Sequence, residues 1–203
     1  ESLSKLDIDL NPIRNSQEIL QMVSGLYIGQ HAGGGKAEQI FIRGFDSDHG
    51  TDIALSVDGM PVNMVSHAHG QGYADLHFVI PEMVEKVDFD KGSYFADKGN
   101  FNTAGYVDFK TRDYLDKSFV KLEGGQFNTG RVVTGLNILN PKTDNGQSLI
   151  FASEISYSDG YFEYPQNFSR FNGLMNYTLP LNNSVLRLSA SGFTSEWLAS
   201  GQI

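Results

Sequence analysis

The side chains best suited to chemistry lie in the first half of the chain. His67 and His69 stand two apart in Met64-Val65-Ser66-His67-Ala68-His69-Gly70-Gln71-Gly72. On an extended backbone that spacing puts both imidazoles on one face, which suits a metal ion provided a third ligand joins them. His31, His49 and His77 qualify only if the fold gathers them, and paired loop histidines also serve as plain hydrogen-bonding groups. No dedicated metal site is assigned. Asp46, Asp48 and Asp52 with His49 form a polar loop from Phe45 to Asp52 without the Asp-x-Asp-x-Asp-Gly ladder of a calcium hand, so it reads as solvated turn. His31-Ala32-Gly33-Gly34-Gly35-Lys36 lacks phosphate-loop spacing, no long helix follows it, and a flexible turn between strands is expected. Neither a Ser-His-Asp constellation nor His-Glu-x-x-His is present. An enzyme is not expected, and no catalytic residue or cofactor is assigned.

Composition narrows the classes further. The 203 residues carry a formal charge of −9, opposite to what a nucleic-acid partner selects. A 40% hydrophobic content suffices for a core, and 22 Gly with 14 Phe and 9 Tyr lean towards β structure with many turns. With no Cys, disulfides and thiolate metal sites are excluded. No apolar run is long enough for a membrane-spanning helix, a test that barrel strands of about ten alternating residues escape.

The elements that must position the candidate residues come in two kinds. Asn15 with Glu18 three residues on predicts a capped short helix with an apolar stripe through Ile19, Leu20, Met22 and Val23, closed by Gly25. Leu6 to Arg14 reads as an extended lead-in, and Tyr27 to Gln30 as a strand. Ile40-Phe41-Ile42-Arg43-Gly44-Phe45, Ile53 to Asn63 and Val84 to Gly92 are short β segments punctuated by Gly, Asp-Gly and Lys-Gly. Tyr73 to Met83 is a short amphipathic segment with Pro81 near a helix start.

From Lys117 the pattern changes. Leu149, Phe151, Ile155 and Tyr157 share one parity, and Ser148, Glu154 and Ser156 the other. Phe171, Met175, Tyr177 and Leu179 alternate with Arg170, Asn172, Asn176 and Thr178, and Leu186, Leu188 and Ala190 with Arg187, Ser189 and Ser191. Period two with one apolar face fits a half-buried antiparallel sheet or a lipid-facing barrel wall. Five strands are expected: Ser118 to Gln126, Gly130 to Asn140, Gln147 to Ser158, Phe168 to Leu179 and Ser184 to Trp197. Compact turns at Asn140 to Gly146 and Pro180 to Asn183 against a longer aromatic connection at Asp159 to Asn167 favour the barrel, with Tyr161, Phe162 and Tyr164 as an interfacial girdle.

Ile-Arg-Gly-Phe at 42–45, Val-Asp-Gly-Met-Pro-Val at 57–62, the run from Val84 to Tyr94 and Lys98 to Phe109 together resemble the plug domain of TonB-dependent outer-membrane receptors. The resemblance implies an α+β plug, a mixed sheet with short helices, over residues 1–115 including a lead-in. The first about five strands of a transmembrane β-barrel follow over 116–203. A complete receptor would have about twenty-two strands, so the chain reads as truncated. By the same analogy Arg43, Asn63, His67, His69 and Tyr73 lie at plug apices facing the solute, where a guanidinium fork and imidazoles suit an anionic or metal-chelated ligand. Arg43 is also a partner for wall carboxylates such as Glu123 or Glu154. Lys91 stands where the family pattern has Arg-Gly-Pro, which keeps the charge of a plug–barrel ion pair and loses its bidentate geometry.

The function implied is capture of a scarce extracellular solute and its admission through plug movement driven by a TonB-type inner-membrane protein, in the outer membrane of a Gram-negative bacterium. A metal chelate, vitamin, glycan or peptide would serve as solute. The implied partners are that energy transducer, the solute and the lipid bilayer, with no nucleic acid. No TonB box is recognisable in Glu1 to Asn11: either it lies upstream or this is not the coupling-competent form. The competing class is a soluble or surface β-rich binding module, an adhesin or glycan binder, whose apolar strand faces would pack on each other.

Overall fold

The computed structural model describes residues 1–29, 34–47, 52–67 and 73–199. It divides into two compact units, Glu1–Ala32 with Lys36–Thr111, and Gly33–Gly35 with Arg112–Ile203.

The first unit opens with strand β1 (Ser2–Ser4) and helix α1 (Lys5–Asp9). This corrects the extended lead-in expected from Leu6. Ser4 and Asp7 form a reciprocal capping box, the Asp7 carboxylate accepting from the Ser4 amide at 2.8 Å. Helix α2 (Ser16–Leu20) is capped by Asn15, whose Oδ1 accepts from the Glu18 amide at 2.9 Å. It is shorter than the stripe suggested: turns carry the chain to Gly25, whose φ of +77° starts β2 (Leu26–Gly29). β2, β3 (Gln39–Ile42) and β4 (Phe45–Ser47) form an antiparallel sheet. β4 replaces the start of the expected polar loop. Arg43 and Gly44 both have positive φ, 51° and 83°, so a two-residue turn returns the chain directly against β3.

The larger sheet of this unit has the order β1-β7-β8-β5-β6, with β5 (Ile53–Val57), β6 (Met60–Pro61), β7 (Val84–Lys91) and β8 (Gly105–Thr111). β5 and β8 run parallel and the other pairs antiparallel, so the sheet is mixed. Alternate residues Ile53, Leu55, Val87, Phe89, Val107 and Phe109 face the core together with Ile19, Leu20 and Leu76. The Asp58-Gly59 turn is tied to β8, since the Asp58 carboxylate accepts from the Thr111 amide at 3.0 Å and its hydroxyl at 2.5 Å. Pro81–Met83 forms a single 3-10 turn where a helix start was expected, because Met83 and Val84 must be buried at the entry to β7.

The second unit is one antiparallel sheet, β13-β12-β11-β10-β9, from β9 (Phe119–Gly125), β10 (Thr129–Leu139), β11 (Ser148–Ser158), β12 (Phe168–Pro180) and β13 (Val185–Glu196). Connection length does not divide its two ends, because the short 126–128 turn shares an end with the longer 159–167 connection. Its burial is inverted relative to a soluble sheet. Val132, Ile155, Phe171, Met175 and Leu188 are exposed, while Arg131, Glu154, Arg170, Asn172 and Asn176 are buried.

The cross-strand register explains how charge is tolerated there. Glu154 pairs with Val133 on one side and Asn172 on the other. Arg131 donates to Glu154 Oε1 at 2.6 Å and to Glu123 at 2.9 Å, Arg170 donates to Glu154 Oε1 at 2.7 Å, and Asn172 reaches Oε2 at 2.7 Å. Alternating signs thus cross four strands on one face, with Arg131 held between Glu123 and Glu154, and Glu154 between Arg131 and Arg170. Replacing Glu154 by Ala leaves two buried guanidiniums without their shared carboxylate, a loss of about 3–5 kcal/mol. A lower urea midpoint for the full-length E154A protein in detergent checks this.

Candidate functional site

Tyr73 is the residue around which the candidate site is built. Its backbone forms an isolated antiparallel bridge with Met64, Met64 N donating to Tyr73 O at 2.8 Å. The bridge closes the histidine-bearing loop and lays the His67 ring on the Tyr73 ring, centroids 4.4 Å apart and planes 19° from parallel. The phenol oxygen accepts from the Ala37 amide at 3.1 Å, which fixes the ring's far end. Burial pushes the phenol above its ordinary value, the Ala37 N–H opposes this and Asp75 adds to it. His67 is therefore an exposed imidazole on an anchored aromatic.

The other expected contacts are placed differently. Asn63, one residue before the bridge, spends its amide on β5: Oδ1 accepts from Leu55 N at 2.8 Å and Nδ2 donates to Ile53 O at 2.9 Å. Arg43 is exposed on its hairpin, with Nη1 3.3 Å from where a Cβ on Gly92 would lie. Lys91 reaches Ser24 Oγ at 3.4 Å. In the second unit Glu123 accepts from Arg131 and pairs with Lys121 at 2.8 Å, and Glu154 lies in the ladder described above. His69, with His31 and His49, lies outside the described residues. Among the described residues no set of three or more His, Asp and Glu is arranged to hold a metal ion.

Beneath Tyr73 lies a polar cluster that spacing did not single out. His77, 2% exposed, places Nδ1 2.6 Å from Asp75 Oδ1 and 3.3 Å from Gln17 Nε2. The Ser16 hydroxyl donates to Leu76 O, and Glu38 is buried beside Glu18 and Asp75. The signal available in sequence was weak: Ser16 and Gln17 lie in a polar first turn between Asn15 and Glu18, one helical turn before Ile19 and Leu20, and Glu38 lies between Ala37 and Gln39.

A family model described as "TonB-dependent Receptor Plug Domain" matches residues 1–106. The chain belongs to that family. Membership places it in the outer membrane of a Gram-negative bacterium and among receptors rather than enzymes.

Solved structures agree in fold. The chain is 19% identical to a ferric enterobactin receptor mutant of Pseudomonas aeruginosa, with a TM-score of 0.67, covering 94% of this chain and 32% of that one. It is 16% identical to the siderophore receptor PirA of Acinetobacter baumannii, with a TM-score of 0.66 over 96% and 31%. Against the copper transporter OprC the values are 18% and 0.73, over 95% and 30%. This receptor chain thus spans about a third of the length of these structures.

Tyr73→Phe keeps the ring against His67 and strands the Ala37 amide. The expected cost is about 1–3 kcal/mol, with faster hydrogen exchange at Ala37 as the readout.

Proposed function

We propose that this chain is the plug and first wall strands of an outer-membrane receptor that captures a scarce extracellular solute and admits it when a TonB-type inner-membrane protein displaces the plug. The observation that carries this reading is a plug-family sequence followed at once by a sheet whose apolar face is exposed and whose charged face is buried. A soluble adhesin or glycan-binding module would bury those apolar faces in water instead.

The solute contacts proposed are His67, His69, Tyr73 and Arg43, with Asn63 holding the loop's base. An exposed imidazole stacked on a tyrosine suits an anionic or metal-bearing chelate, and Arg43, on the hairpin beyond the far end of β3, offers a guanidinium separately. The structural neighbours include siderophore receptors and a copper transporter, which makes ferric chelates and copper ion the first solutes to test. Glu123, Glu154, Arg43 and Lys91 remain proposed as ion-pairing groups between plug and wall. Energy coupling is part of the proposal.

The test is uptake by cells expressing the full-length receptor, offered ferric chelates, cupric ion, a cobalamin and an oligosaccharide. At least one solute should accumulate only when the inner-membrane transducer is intact. H67A and Y73A should each lower that uptake by about tenfold, the loss of roughly 1.4 kcal/mol of contact. Equal accumulation with and without the transducer would contradict the coupling.

A further inference from the structure

Glu38 precedes β3 and is 7% exposed, and among the described residues its buried Oε2 has no hydrogen-bond partner. Three elements of the first unit meet around it. α2 brings Glu18, the segment from Tyr73 to Ile80 brings Asp75, and the residues leading into β3 bring Glu38 itself. Both charges acting on it have its own sign. Glu18 is committed to Arg14, whose Nη2 lies 3.0 Å away and whose amide donates to it at 2.7 Å. Asp75 is committed to His77 at 2.6 Å. Tyr73 faces the same seam, holding Ala37 by its phenol. A second or third carboxylate charge in this setting lacks both water and a counter-ion.

We propose that Glu38 is a proton-binding latch: protonated, it lets α2, β3 and the Tyr73–Ile80 segment close on one another, and ionised, it drives that seam apart. The latch goes beyond solute capture and does not depend on it. Its output is the adjacent Ala37 amide, which holds Tyr73 and through it the His67 stack. Proton binding at Glu38 therefore sets how firmly the apex is held.

Burial, with Glu18 and Asp75 adding repulsion, pushes the Glu38 carboxyl from its ordinary 4.5 up to about 7. The raised value fixes the sign. The closed seam binds the proton more tightly than the open one, so closure is fully favoured below about pH 4.5, weakens as pH rises towards 7 and then levels off. Between those limits opening should rise roughly tenfold per pH unit.

The experiment is hydrogen exchange on the full-length protein in detergent, corrected for intrinsic rates, read on peptides covering 16–20, 37–42 and 73–79. From about pH 5 to about pH 8 the opening constant should rise on the order of tens of fold in the wild type and stay level in Glu38→Gln. Glu18→Gln, which keeps one of its two contacts to Arg14 and removes one like charge, should move the midpoint to lower pH. No solute is needed, so failure here is separable from failure of the transport reading. A flat wild-type profile, a profile unchanged by E38Q, or a midpoint unmoved by E18Q would overturn the latch.

Discussion

Glu154 has no exposed surface, and its two oxygens accept from Arg131, Arg170 and Asn172 on the strands to either side. Desolvating a carboxylate alone would cost several kcal/mol, and only the neighbouring guanidiniums offset it. That arrangement requires β10, β11 and β12 in one register, because a slip of one residue would send Glu154 to the apolar face and Ile155 to the charged one. The charged face therefore dictates the strand pairing, and the exposed apolar face follows from it. Water is a poor solvent for such a face and hydrocarbon a good one, which is why this sheet makes sense only as a membrane wall.

The first unit is organised by the opposite rule. Its apolar side chains are gathered inside a mixed sheet with two short helices, and its buried polar side chains include the seam of Ser16, Gln17, Glu38 and His77 besides Ser47, Asn102 and Thr111. That seam lies directly under the segment carrying Tyr73. Stability and solute contact thus meet in one place, since the phenol that supports the exposed imidazole also closes the backbone beside Glu38.

The wall was readable from sequence because period-two alternation dominates β11, β12 and β13, although Ile150 and Leu174 fall on the polar parity and β10 carries a register shift between Asn137 and Leu139. β10 to β13 begin and end within a residue or so of the alternation's limits. Periodicity left open which face is buried, and only the register that joins Glu154 to two arginines settles it. Short elements were harder. α1 rests on one Ser4–Asp7 box, and the nearby Pro12 favoured an extended reading. Asn63 and Glu38 show the deeper limit: one amide bridges Ile53 and Leu55, and one carboxyl is buried by segments distant in sequence. Neither relation leaves a mark in local spacing.

The measurement that bears most directly on this account is lipid exposure along β11. Single cysteines can be placed at Phe151, Ala152, Ile155 and Ser156 in a full-length protein otherwise free of Cys and labelled with a fluorophore after reconstitution. Nitroxide lipids should quench labels at 151 and 155 strongly and those at 152 and 156 weakly. Quenching of the opposite parity, or equal water accessibility at all four positions, would contradict a wall with its apolar face in the bilayer.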